Sequence, residues 1–421
     1  MKEYTIFELQ KGLNDGEWTS VDLIDIYLER INCYDSSLNS IGEINPDAYY
    51  LATECDLRRK AKSKKGLLDG IPLVIKDNIN TADKMHTTAG SLALADLYAP
   101  YDATVVSQLR TAGAVILGKA NLSEFAYFMS DYSMPSGFGS RFGQVKSPYH
   151  QKIDPLGSST GSAVSVAANL IPVSLGTETN GSLMAPAQQN SIVAVKPTLG
   201  LISRYGVIPI SFNQDTVGPM GRTVEDCAVL LDVLWGKDEK DPATLTNPKA
   251  EYHFVSALKM PINGMRVGLL TFSNVTYDEE EKSILQDAAA KLASAGIEIL
   301  DAETFYQRIN NYRSLLYEFK VSINHYLSTV QKTTRIRSLA DIIAFNQRSP
   351  YCRMPYGQTV FVAAERTTGT LTEAEYLTVR KEILGAAGEI DRLLDKYNLD
   401  ALICPRRTSY APINGNPCIC V

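Results

Sequence analysis

Gly70-Ile71-Pro72-Leu73-Val74-Ile75-Lys76-Asp77-Asn78 sets five consecutive apolar residues between a glycine and a polar block. An unbroken apolar run bounded by turn residues suits a strand buried on both faces, because a strand with one wet face alternates apolar and polar residues. Similar runs recur at Ala114–Leu117, Ile171–Leu175, Ile192–Val195, Val267–Leu270, Ile297–Leu300 and Ala401–Cys404. Helical patterns lie between several of them, over Thr104–Ala112, Ser162–Leu170, Val224–Trp235 and Glu279–Ala295. This alternation predicts an α/β protein with a mixed, twisted β-sheet core flanked by α-helices on both faces.

Upstream, residues 1–68 read as an N-terminal helical layer. Val21, Leu23, Ile24, Ile26, Tyr27 and Ile31 share one side of a helix for which Ser20 is the expected N-cap. The stretch from about 250 to 356 is more polar and less regular, and is expected as a helical elaboration over one edge of the sheet. With no repeat of fixed period and no long linker, residues 1–421 are read as one domain.

At 421 residues and 45% hydrophobic content the chain can bury a large core. Its 41 basic and 47 acidic side chains give a net charge of −6, which argues against a nucleic-acid partner and fits a small neutral substrate better. The dense basic run Arg58, Arg59, Lys60, Lys62, Lys64 and Lys65 is read as a solvated helix end in preference to a contact for phosphate or an acidic membrane surface. Seven scattered cysteines do not form a secreted disulfide framework, and Cys418-Ile419-Cys420 fits alternation on a buried strand. The four histidines lack zinc-hydrolase spacing, so neither metal nor cofactor is expected. Charges inside the only apolar stretch of the N-terminus exclude a signal peptide there, and no run approaches the ~20 residues of a membrane span. The expected location is the cytoplasm.

Three segments carry candidate chemistry. Lys76 ends a run that should be buried. It either snorkels to solvent or is desolvated until its neutral amine serves as a general base. Pro155-Leu-Gly157-Ser158-Ser159-Thr160-Gly161-Ser162 runs straight into a small-residue helical stretch, which suits a constrained loop opening a helix. Gly176-Thr177-Glu178-Thr179-Asn180-Gly181-Ser182 follows the apolar run ending at Leu175. Asn-Gly is a favoured hairpin pair. The other reading is a loop whose backbone N–H groups converge near the Ser182 hydroxyl, with glycine permitting close approach of a substrate.

Together these segments resemble the amidase signature family, in which a lysine follows an apolar strand and a second serine lies 24 residues beyond the first loop serine, as Ser182 does beyond Ser158. The resemblance extends over Thr87–Ser91, Gly113–Glu124, Lys196–Thr198 and Gln214–Pro219. It implies the amidase signature fold and hydrolysis of a carboxamide through an acyl-enzyme. Lys76 would be the base, Ser158 the proton relay, typically on a cis peptide, and Ser182 the nucleophile. Backbone amides of Thr179, Asn180, Gly181 and Ser182 would form the oxyanion hole. Ser159, Glu178 and Asp215 are supporting candidates; Arg222, like Asp215, sits in a family-like motif where a structural role is expected.

The Thr-Glu-Thr-x-Gly-Ser form is similar to bacterial peptide amidases and acylamidases, which usually carry Asp where this chain has Asn180. Two alternatives stay open: an A-type subunit of a glutamine-dependent amidotransferase, and a catalytically impaired scaffold of the same fold. Asn416–Val421 stops inside what reads as a core strand, where the resemblance implies a further loop, strand and helix. A truncated, incompletely represented or trimmed chain is therefore the expectation, with an unpaired sheet edge that would invite association or instability; a homodimer is an expected assembly.

Overall fold

Leu73 and Ile75 pack into one apolar cluster and Val74 into another, so the two faces of this strand are both dry. The neighbouring strand repeats the arrangement, with Ile116 on the first side and Val115 and Leu117 on the second. The period of two, satisfied on both faces, is what made these segments continuous apolar runs. In this computed structural model the described residues are 2–131, 134–247, 251–301 and 311–421.

Twelve strands are found among them: β1 (Ile41–Ile44), β2 (Pro72–Lys76), β3 (Val115–Ala120), β4 (Phe138–Gly139), β5 (Gly143–Gln144), β6 (Val173–Glu178), β7 (Val193–Lys196), β8 (Thr216–Gly221), β9 (Arg266–Leu269), β10 (Glu298–Asp301), β11 (Ala401–Ile403) and β12 (Cys418–Cys420). Seven build a mixed sheet in the order β1-β3-β2-β6-β8-β7-β12. The β3–β2 and β2–β6 pairs are parallel, and the others are antiparallel. Helices cover both faces. Ile6–Asp15, Thr104–Thr111 and Val224–Leu234 contribute to one cluster; Ser20–Leu38, Ala48–Lys60, Thr160–Ala167 and Met184–Gln189 contribute to the other.

The last three apolar runs do not join this sheet. β9, β10 and β11 form a separate parallel sheet in the order β10-β9-β11, with the helix Glu279–Ser294 connecting β9 to β10. The expected helical elaboration over 250–356 is thus strand and helix in its first half. Its second half is helical, at Tyr312–Val330 and Leu339–Gln347; residues 250 and 302–310 lie outside the described residues. Phe319, Ile323 and Leu339 close a third cluster against Leu94, Phe125, Ile208 and Ile210.

Three local expectations need correction. The helix Ser20–Leu38 is capped by Thr19, not Ser20. Thr19 accepts from the Asp22 N–H, and Asp22 accepts from Thr19 in return at 2.7 Å. That reciprocal box requires an acid three residues after the cap, which Ser20 lacks. Cys418–Cys420 is an edge strand, not a buried one, because β12 pairs with β7 alone; its cysteines lean on the core while Ile419 stays half exposed. The basic run is only partly a solvated end. Arg58 pairs with the buried Asp69 at 2.6 Å, and Arg59 donates to the Asp69 carbonyl and to Asn14, so both clamp a turn. No helix among the described residues is long and apolar enough to cross a membrane.

Candidate active site

β2 and β6 run parallel and in register, Ile75 opposite Leu175, so both strands deliver their carboxyl ends to the same edge. Lys76 at the end of one therefore meets Thr177 near the end of the other. Carboxyl ends of parallel strands are where open α/β sheets build their sites. The loop before the helix Thr160–Ala167 brings Ser158 and Ser159 onto the same point.

Lys76 is fully buried. Its Nζ lies 2.8 Å from Ser158 Oγ, 2.9 Å from Thr177 Oγ1, 3.0 Å from Ser159 Oγ and 3.2 Å from the Thr177 carbonyl oxygen. Among the described residues, no carboxylate hydrogen-bonds or ion-pairs with it. Burial brings its pKa down to about 7, against the opposing pull of the Asp215 and Glu178 charges. Asn78 donates to Thr177 Oγ1 at 3.0 Å, which fixes that hydroxyl for the lysine. Ser159 is held from both sides, donating to the Thr177 carbonyl at 2.9 Å and accepting from the Thr177 N–H at 3.2 Å. The Gly157–Ser158 peptide is cis.

Ser182 sits at the mouth, 8% exposed, while Ser158 and Ser159 behind it are sealed. Its carbonyl accepts from the Ser159 N–H at 3.2 Å, which ties the two serine-bearing loops together. Glu178 braces the loop from below, accepting from the N–H groups of Leu183 at 2.8 Å and Met184 at 3.1 Å as the helix Met184–Gln189 begins. Asn180-Gly181 is thus no hairpin turn, since a helix follows it. Gly181 adopts φ +83°, a conformation that favours glycine.

Among the described residues, no hydrogen bond uses the N–H groups of Asn180, Gly181 or Ser182, and none reaches the Ser182 hydroxyl. Unpaired backbone donors in a mostly buried loop are rare. The Thr179 carbonyl accepts from Gln214 Nε2 at 3.1 Å, and in a trans peptide this turns the Asn180 N–H to the opposite side. Asp215 takes the Thr179 hydroxyl and, at 2.8 Å each, the N–H groups of Ile210 and Ser211. Burial raises its pKa to about 6. Arg222 does not pair with it; its guanidinium donates to the carbonyls of Val166, Ile171 and Tyr4, tying the N-terminal segment to the sheet.

Sequence reasoning missed Thr177, Asn78, Gln214 and Asn311. The first three lie in or beside segments already singled out, but their side chains carried no signal of their own. Asn311 donates to Gln214 at 2.9 Å and accepts from Asn180 at 3.2 Å, across separations that only the fold closes.

The family profile described as Amidase matches residues 22–417. A probable amidase of Arabidopsis thaliana is 40% identical over 412 residues, covering 96% of this chain and 80% of that protein. The native peptide amidase of Stenotrophomonas maltophilia superposes with a TM-score of 0.92 at 40% identity, covering 99% of this chain and 89% of that one. A glutamyl-tRNA(Gln) amidotransferase subunit of Halorhodospira halophila is 38% identical over 304 residues, covering 72% of this chain and 61% of that protein.

Proposed function

We propose, because this chain belongs to the amidase family, that it hydrolyses carboxamides through Ser182 as nucleophile, Ser158 as proton relay and Lys76 as base. The observation that carries the reading is a buried lysine with a pKa of about 7, bonded to Ser158 at 2.8 Å and, among the described residues, to no carboxylate. A serine hydroxyl is a weak nucleophile without an adjacent base, and an amide nitrogen leaves only when protonated.

Neutral Lys76 draws the proton of Ser158 as Ser158 draws that of Ser182, and the Ser182 oxygen attacks the carbonyl carbon. The N–H groups of Asn180, Gly181 and Ser182, with that of Thr179 beside them, receive the developing oxyanion; each such donor contributes about 3 kcal/mol to lowering the barrier. The proton then returns through Ser158 to the departing nitrogen, leaving an acyl group on Ser182. Water enters along the same relay and releases the acid. Substrate binding completes the Ser158–Ser182 link, which fits the tendency of catalytic hydrogen bonds to close only in the complex. The proposal includes the cytoplasmic setting and single-domain organisation expected from the sequence.

Ammonia release from a panel of peptide, aryl and alkyl amides tests it. Wild-type protein turns over at least one class, and Ser182→Ala, Ser158→Ala and Lys76→Ala each lower kcat by about 10³-fold or more while remaining folded. Retained turnover in Ser182→Ala overturns the assignment. The likeness to the amidotransferase protein supports a second reading, glutamine as the amide and a partner as ammonia acceptor; ammonia release from glutamine confined to the presence of a second protein would favour it.

A further inference from the structure

The loop after β11 carries two consecutive arginines with different fates. Arg406 pairs with Glu281, its Nη2 lying 2.8 Å from Oε2. Arg407, also exposed, makes no ion pair or hydrogen bond among the described residues. It is nevertheless not loose in solvent. Its side chain lies against Gly181, where a built Cβ would fall 2.3 Å from Nη1, 3.2 Å from Cζ and 3.3 Å from Cδ. The guanidinium thus occupies the space a side chain would take beside the proposed nucleophile.

Among the described residues, none forms an ion pair with it. The polar groups around the tip of the loop are Asn180, Asn311 and Ser409, joined to one another at 3.2 Å and all uncharged. The two carboxylates of the site are buried and already engaged, Glu178 with Leu183 and Met184, Asp215 with Thr179, Ile210 and Ser211. Among the described residues this leaves Arg407 a cation without an ion-pair partner beside the proposed nucleophile. A guanidinium is a planar fork of donors shaped for bidentate pairing with a carboxylate, and here those donors have no acceptor among the described residues.

We infer that Arg407 recognises an anionic group of the substrate, so that the enzyme selects carboxamides bearing a carboxylate close to the scissile bond. This rests on the amide-hydrolase reading. Recognition at an exposed arginine weakens with salt, because the pair is screened over about 8–10 Å at ordinary ionic strength.

The test measures ammonia release from two matched pairs, N-acetylglutamic acid α-amide against N-acetylnorvalinamide, and 4-carboxybenzamide against 4-methylbenzamide. In wild-type protein the anionic member of the pair the enzyme turns over is favoured in kcat/KM by roughly tenfold at low salt, mainly through KM, and by less at high salt. Arg407→Gln collapses that ratio, and Arg407→Lys keeps part of it. A wild-type ratio near one, or a ratio that Arg407→Gln leaves in place, overturns the inference while the hydrolase reading stands. Absence of turnover for every amide, with Ser182 unreactive to a fluorophosphonate, defeats both.

Discussion

Gln214 donates its side-chain amide to the carbonyl oxygen of Thr179 at 3.1 Å. The contact lies on the carbonyl side of the Thr179–Asn180 peptide, and it fixes the plane of the peptide whose N–H is assigned to the proposed oxyanion hole. Asn311 holds Gln214 in turn, which makes the aim of the loop depend on two residues far apart in the chain. Gln214→Met keeps the volume and removes the donor. The expected result is a fall in kcat of about tenfold to a hundredfold with KM little changed, the signature of an interaction used in the transition state. A rise in KM alone would show that Gln214 shapes binding instead.

In the proposed mechanism Lys76 works as the neutral amine, and the pH dependence follows from it. With its pKa at about 7, kcat/KM rises with pH through that value and levels above it. The Asp215 charge pulls this pKa upward. Asp215→Asn removes that pull, so the acid limb moves to lower pH even if the plateau falls. A limb that stays in place in the variant would mean that another group sets it.

Three lysines in this chain end apolar runs and all three are fully buried: Lys76, Lys119 and Lys196. Lys119 donates to the Ile79 carbonyl and Thr87, and Lys196 to the Pro197 carbonyl, both holding turns. Only Lys76 reaches two serines. Apolar patterning therefore located the strands and a set of unusual lysines, but the choice among them came from the ordered motifs around Ser158 and Ser182. Strand β8, Thr-Val-Gly-Pro-Met-Gly, escaped the strand reading because glycine and proline interrupt its apolar pattern, although it lies in the middle of the large sheet. The separate sheet of β9, β10 and β11 was legible as strands but not as a sheet of its own, since pairing partners are chosen by tertiary packing. Asn311 and Arg407 reach the site across long sequence separations, which no local pattern encodes.

Stability gives an independent check on the buried lysine. Holding its amine near 7 instead of 10.5 means that the protonated form destabilises the fold by on the order of 5 kcal/mol. The unfolded chain binds this proton between those values and the folded chain does not, so the penalty is complete below about pH 7 and fades toward 10.5. Lys76→Met is expected to abolish activity yet raise Tm, with the gain largest below neutrality and shrinking as pH rises. The lost contacts to Ser158 and Thr177 offset part of it. A Tm difference independent of pH would contradict the assigned protonation.

The most direct test of the Ser182 assignment is intact-mass and peptide-level mass spectrometry after exposure of the folded protein to a fluorophosphonate. One adduct on Ser182 is expected, formed far more slowly in Lys76→Ala and Ser158→Ala and absent after unfolding. An unmodified Ser182, or an adduct that forms equally fast without Lys76, would contradict the account.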